Sequence, residues 1–276
     1  MMSCFICVTC GVQFAPSAAE PERCPVCEDG RQYVGWGGQR WTTLDALRRD
    51  HANRVEELEP GLTGIGTEPT FAIGQRAILV RTPEGNVLWD CITLLDEATA
   101  AAVRGLGGIA AIAISHPHYY SSMVEWSREF GAPVHLHEAD GRWVMRPDPG
   151  VRLFTGDELA LPGGLRLHRL GGHFPGATVL HWPAGAGGRG ALLSGDVLQV
   201  VSDRRYVSFM YSFPNLVPLP AHVVERIVRR VGDLRFDRIY GAWWDRVVDR
   251  DGAAAVRRSA DRYLAALAGE GDELEL

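Results

Sequence analysis

The chain has 276 residues, of which 46% are hydrophobic and 22% charged. This allows one large domain with a small appendage and excludes a mainly disordered chain. Its 28 basic and 34 acidic side chains leave a formal net charge of −6, so the broad basic field of nucleic-acid and anionic-membrane binders is missing.

The first zone, residues 1–34, holds five of the six cysteines, Cys4, Cys7, Cys10, Cys24 and Cys27, and few aliphatic residues. Its start has neither a basic region nor a long apolar run, and no later stretch reads as a membrane span. The expectation is a cytoplasmic protein with reduced thiols. Cys7-Val-Thr-Cys10-Gly11 and Cys24-Pro-Val-Cys27 are two Cys-x-x-Cys knuckles separated by 13 residues. Four thiolates so spaced suit a tetrahedral metal, and a segment this poor in apolar residues needs such a staple to fold. The spacing fits a zinc ribbon or a rubredoxin-like knuckle, with structural zinc as the expected metal. Cys4 with Cys7 is a competing register, and Gly11 favours Cys7 with Cys10. Cys91 reads as a packed thiol.

Residues 35–61 read as linker and helix. Gly35-Trp36-Gly37-Gly38 is followed by a helical pattern on Leu44, Leu47, Val55 and Leu58, which Pro60-Gly61 ends. From residue 62 to 276 strands and helices mix. Strands are expected over 70–73, 77–81 and 87–91, with a turn at Pro83-Glu84-Gly85-Asn86 joining the last two. A helix is expected over 96–106. The run 109–114 has no polar alternation, as in a strand covered on both faces. Ser122 with Glu125 has capping-box spacing before a helix carrying Met123, Trp126 and Phe130. Further strands are expected over 134–136, 151–154, 158–161, 165–170, 178–182 and 191–193. Two late helices show apolar faces, Val223, Val224, Ile227, Val228 and Val231 on one, Val256, Ala260, Tyr263, Leu264 and Leu267 on the other. Strand runs with inserted helices indicate two sheets with helices outside them.

Ser115-His116-Pro117-His118-Tyr119-Tyr120-Ser121 follows the buried strand. Residues i and i+2 of an extended chain point the same way, and Pro117 biases His116 toward extension. Two imidazoles at a strand end make half a metal site. His135-Leu136-His137 has the same spacing, but Val134 and Leu136 face the core there and both histidines are expected outside. His173 lies on a Gly-rich loop, Leu170-Gly-Gly-His173-Phe-Pro-Gly176. Asp196 ends Leu193-Ser-Gly-Asp196, just past a strand.

Taken in this order, the three motifs resemble the metallo-β-lactamase superfamily, which includes glyoxalase II-type thioester hydrolases. The resemblance covers about residues 62–250. It implies an α/β four-layer αββα sandwich, here with a small N-terminal zinc ribbon, and a metal site at one edge of the sheets. His116, His118 and His173 match the family's first metal site, and Asp196 matches the ligand that usually bridges two. The second-site positions depart from the family. Tyr120 and Ser121 stand where Asp and His are usual, and Trp243 stands at the best match to the last His. The resemblance therefore implies one metal instead of two.

The leading expectation is a mononuclear zinc-dependent hydrolase acting on a small ester, thioester or amide. Water activated by zinc attacks the carbonyl, Asp196 accepts a proton or ligates, and Tyr119 or Tyr120 stabilises the oxyanion. Phe209, Tyr211 and Phe213, with Trp243, are expected to wall the small-molecule substrate, and packing between the sheets is an equal reading of this aromatic loop. One alternative is a non-haem iron oxidoreductase resembling persulfide dioxygenases, with His116, His173 and Asp196 on iron and no role for His118. The other is a non-catalytic module that binds a ligand or partner. The negative charge argues against a nuclease.

Overall fold

The computed structural model describes residues 2–270. Two sheets face each other. Ala52–Glu59, Leu62–Glu68, Arg76–Val80, Val87–Trp89, Ala111–Ala113, Val134–His137 and Val151–Phe154 form a seven-stranded sheet in chain order. Its first four strands are antiparallel and its last four, from Val87–Trp89 onward, run parallel. Glu97–Gly105 and Met123–Phe130 are the crossover helices that parallel pairing requires. The six-stranded sheet follows, with Glu158–Ala160, Arg166–Arg169, Thr178–Trp182, Ala191–Gly195, Arg238–Gly241 and Val247–Val248 in order. Its one parallel pair, Ala191–Gly195 with Arg238–Gly241, is joined through the helix Ala221–Gly232. Gly252–Ala268 is the last helix.

Alternation along the strands explains the layers. Ile78, Val80, Trp89, Leu167, Leu180 and Leu193 meet between the two sheets. Their neighbours Ala77, Leu79, Leu88, Val179 and Leu192 point to the opposite faces and pack with Val103, Trp126, Val224 and Val256 of the four long helices. Both faces of the central strands of each sheet are thus covered, which is why these strands show no polar alternation. The result is the four-layer αββα sandwich.

Two expectations give way here. The helix expected to run to Leu58 stops at Asp50, and Val55 and Leu58 lie on the first strand of the large sheet. A Thr43 cap, whose hydroxyl accepts from the Ala46 N–H at 3.3 Å, starts that helix. The second strand is Leu62–Glu68, while residues 70–73 form a turn. Gly64 and Gly66 hide this strand in the sequence. They are required because the Trp244 ring lies on it: a Cβ at either position would sit 2.8 Å from that ring. Arg54 covers the same ring at 4.3 Å from its centroid.

The cysteine segment packs into the same core as the helices, through Val12, Val26 and the buried Cys7, Cys10, Cys24 and Cys27. Its strand Ile6–Cys7 pairs with Trp41–Thr42. Among the described residues, no helix is long and apolar enough to cross a membrane.

Candidate metal centre

The ligand-type side chains converge where strands end. Ala111–Ala113 delivers Ser115 and His116 into a short 3-10 turn, Pro117–Tyr119. His116 is extended, with φ −169° and ψ 171°, as the residue before a proline should be. Asp90 holds this loop from beneath. Its Oδ1 accepts from the Ser115 N–H at 2.7 Å, and Ser115 Oγ meets His116 Nδ1 at 2.8 Å. His116 Nε2 is thereby turned inward. His173 is fixed the same way, its Nδ1 lying 3.1 Å from the Met210 carbonyl. Asp196 follows Ala191–Gly195. Its Oδ1 accepts from the Tyr119 hydroxyl at 2.7 Å, and its Oδ2 faces His116 Nε2 at 3.5 Å and His173 Nε2 at 3.8 Å. His118 Nδ1 is 3.3 Å from His173 Nε2.

One ligand atom from each of His116, His118, His173 and Asp196 lies within 4.8 Å of the others. All four residues are buried, with at most 5% exposure. His116 Nε2 and His118 Nε2 have no hydrogen-bond partner although both are buried. Buried polar atoms in folded proteins are nearly always paired, so the orphaned His116 Nε2, facing Asp196 Oδ2, fits an absent cation, and His118 presents its Nδ1 to the same cluster. Burial, then the neighbouring imidazoles, pushes the pKa of His118 well down; the same causes bring His173 to about 3. Both rings stay neutral with lone pairs free. Burial alone would raise the Asp196 carboxyl, but the hydrogen bond and charge of His116, with His173 and Tyr119, hold it below the usual range.

The four-cysteine group is equally tight. Cys7 and Cys27 sulfurs are 3.5 Å apart and Cys10 and Cys24 sulfurs 3.7 Å. Hydrogen bonds from Cys10, Cys24 and Cys27 draw the Cys7 thiol well below its ordinary pKa. Cys4 stands outside the group, and Cys91 is a buried thiol. These two clusters are the groups of metal-ligand type found among the described residues.

Other expected site residues are placed differently. The oxyanion role expected of Tyr119 or Tyr120 conflicts with how their hydroxyls are used. Tyr119 spends its only proton on Asp196, and Tyr120 points its hydroxyl at the Asp140 carbonyl, 3.4 Å away. Burial raises both phenols well above their usual pKa, so neither is a base. Phe209 is fully buried against Tyr263 of the last helix and is core, not substrate wall. Trp243 donates to the Ile73 carbonyl at 3.2 Å and lines a separate surface pocket with Trp244, Arg204 and Arg246. Phe213 does reach the centre, 5.8 Å from the His173 ring, and Tyr211 stands one residue farther out, against Arg31. His137 is buried, not outward: its Nδ1 accepts from Ala139 N–H and its Nε2 meets the Gly156 carbonyl. Ser122 does begin its helix, but its hydroxyl donates to the Thr93 carbonyl at 2.7 Å and makes no cap bond.

At the positions of a second metal, Ser121 donates to the Cys91 carbonyl and accepts from Gln75. With Tyr120 and Trp243 also committed to backbone carbonyls, these three positions offer packing and hydrogen bonds and no ligand set.

The sequence model described as "Metallo-beta-lactamase superfamily" matches residues 72–262. The chain belongs to the metallo-beta-lactamase superfamily. Its relatives within reach of sequence include the uncharacterized protein YmaE of Bacillus subtilis (strain 168), 49% identical over 271 residues, 98% of each chain. The metallo-beta-lactamase fold is also seen in solved structures. A B3 metallo-beta-lactamase with an active-site glutamic acid superposes with a TM-score of 0.52 at 20% identity, covering 82% of this chain and 96% of that one. DIM-1 metallo-beta-lactamase exposed to ceftazidime gives 0.56 at 12% identity, covering 78% and 97%. A Cronobacter sakazakii metallo-beta-lactamase gives 0.51 at 18% identity, covering 78% and 93%.

The surroundings of the centre in this superfamily member include residues to which its motifs assign no role. Arg31, Trp143 and Phe174 roof the centre. Phe174 stacks 5.5 Å from the His116 ring, and Arg31 lies 4.5 Å over Phe174 and 5.9 Å from Trp143. Asp140, next to this roof, accepts from the Gly176 N–H at 2.9 Å. Burial raises its pKa to about 6. A carboxyl raised on folding contributes stability below its unfolded pKa of ~3.9, and loses it as pH rises through the folded value. Asp140→Asn is therefore expected to match the wild type near pH 4 and to exceed it at pH 8 by up to about 3 kcal/mol. Thermal melts of both proteins across that range measure the difference.

Proposed function

We propose that this chain is a mononuclear metal-dependent hydrolase of a small ester, thioester or amide, with zinc as the metal. The observation that carries the reading is the buried His116–His118–His173–Asp196 cluster, whose ligand atoms lie within 4.8 Å of one another and include the unpartnered His116 Nε2. Three imidazoles and one carboxylate are a nitrogen and oxygen donor set that zinc accepts, and one position beyond the imidazoles can stay open. A bound divalent ion would supply Lewis acidity toward a carbonyl and would acidify water from ~15.7 toward ~7.

The chain's own residues do the rest. Ser115 and the Met210 carbonyl set the two ring orientations, so that Nε2 of His116 and His173 face inward. Tyr119 acts as a positioning residue by pinning Asp196 Oδ1. Asp196 Oδ2 is then the one carboxylate oxygen inside the cluster, either ligating or holding the proton that water gives up. Tyr211 and Phe213 remain the candidates for a substrate wall. Phe174 and Trp143 exclude bulk water, which strengthens each electrostatic interaction in the centre.

The place of His118 inside the cluster favours this reading over the iron oxidoreductase, which leaves that residue idle. The near-complete burial of the four ligands favours a second reading, a closed metal site in a non-catalytic binding module. Turnover separates them. Zinc-loaded protein is expected to hydrolyse a panel of aryl esters and acyl thioesters, and chelation followed by zinc return is expected to abolish and restore the rate. Turnover that ignores the metal, or none across the panel, rejects the hydrolase.

A further inference from the structure

Two ligand loops of the centre are each bonded to the cysteine segment. On one side Gly11, in the left-handed region at φ +79°, accepts from Thr93 Oγ1 at 3.0 Å, and the next residues continue onto the His116–His118 loop. Gln13 N–H donates there to the Ser121 carbonyl at 3.0 Å. A Cβ on Gly11 would lie 2.5 Å from Thr93 Oγ1, so this approach is as close as the chain permits. On the other side Arg31, four residues past Cys27, donates through Nε to the carbonyl of His173 itself. Its guanidinium is held between Phe174 and Tyr211, at 4.5 and 4.4 Å from their centroids. Ser212 Oγ donates to the Arg31 carbonyl at 3.0 Å, and Asn215 Nδ2 donates to the carbonyls of Gly30 and Gln32.

We propose that the four-cysteine knuckle is a clamp on the sandwich site, with Arg31 as the positioning residue that transmits it. Metal in the knuckle fixes both the Gly11 turn and Arg31, and these fix the His118 and His173 loops at the spacing one ion needs. The knuckle is then a working part of the centre, and losing its metal loosens the second site. The inference rests on the proposed metal reading of both clusters.

A guanidinium beside a dication has an opposing effect, since like charges repel. The geometry decides between the two. Arg31 Nη1 is paired with Asp29 Oδ1 at 2.7 Å, and both side chains are largely buried. Asp29 offsets part of the guanidinium charge felt at His118 and His173, and the Arg31 Nε contact to the His173 carbonyl orients that loop directly, so the orienting contact dominates. Supporting contacts of this kind are typically worth about 10- to 100-fold in metal affinity.

The test uses full-length protein that retains zinc in the knuckle and has been emptied at the sandwich site, titrated with cobalt(II). Visible bands without thiolate charge-transfer absorption report the sandwich site alone. In Arg31→Ala that affinity is expected to fall about 10-fold or more and the band shape to change, with zinc still bound by the cysteines. Asn215→Ala, which touches neither ligand set, is expected to shift affinity in the same direction by less, and it serves if Arg31→Ala does not fold. Unchanged affinity and spectrum in a folded variant overturn the clamp while leaving the metal centre standing. Wild-type protein that binds no cobalt beyond the cysteines overturns both.

Discussion

His118→Ala is expected to empty the sandwich site, halve the metal content from two ions per chain to one, and reduce turnover by at least about 100-fold. The bound figure is a lower limit, because even supporting residues one contact farther out cost 10- to 100-fold in affinity. The variant also removes an imidazole packed at 4.9 Å from Phe174 and 5.2 Å from the His173 ring, which leaves a small cavity. The cavity and the ligand can be separated. His118→Gln nearly fills the space but offers a poorer donor, so it should recover stability and not metal. Elemental analysis, thermal melts and ester turnover on the three proteins measure this. A variant that keeps two ions and full rate would show that His118 is packing.

Cys24→Ser combined with Cys27→Ser is expected to be the most destabilising change in the chain. Structural zinc in small knuckles is worth about 10–16 kcal/mol of apparent binding energy, comparable with the whole stability of an ordinary domain at about 5–15 kcal/mol. Loss of the metal would release Ile6, Val12 and Val26, all buried, together with the Arg31 roof. A cost of only 4–5 kcal/mol would already lower Tm by about 10 °C in a chain of this size. Differential scanning of wild type and variant, each with and without a strong chelator, checks the claim. The wild type should fall toward the variant on chelation, whereas the variant should respond much less.

The centre was legible chiefly because its three motifs, taken in order, resemble the metallo-β-lactamase superfamily, and local backbone rules add to that. A fully apolar strand followed by Ser-His-Pro-His fixes the direction of His116, and a Gly-rich loop and a strand end place His173 and Asp196. The two-sheet architecture was legible from strand runs with helices inserted between them. What stayed hidden depends on contacts across the chain. Leu62–Glu68 reads poorly as a strand because Gly64 and Gly66 make room for Trp244, 178 residues beyond Gly66 in sequence. Val55 and Leu58 fit a helical spacing as well as a strand, and pairing with Leu62–Glu68 decides the matter. His137 turns inward because Ala139 N–H and the Gly156 carbonyl satisfy its ring. Phe209 and Trp243 looked like site residues by their neighbourhood in sequence, yet the last helix and the turn at Ile73 claim them. Arg31 left no pattern at all, since its partners Phe174, His173 and Tyr211 are more than 140 residues away.

Anomalous X-ray scattering from crystals of the protein as purified, recorded at the zinc and iron edges, tests the central claim most directly. The account predicts two zinc peaks per chain, one among Cys7, Cys10, Cys24 and Cys27 and one bounded by His116, His118, His173 and Asp196. An empty histidine cluster in metal-replete protein, iron in that cluster, or two ions within it would contradict the account.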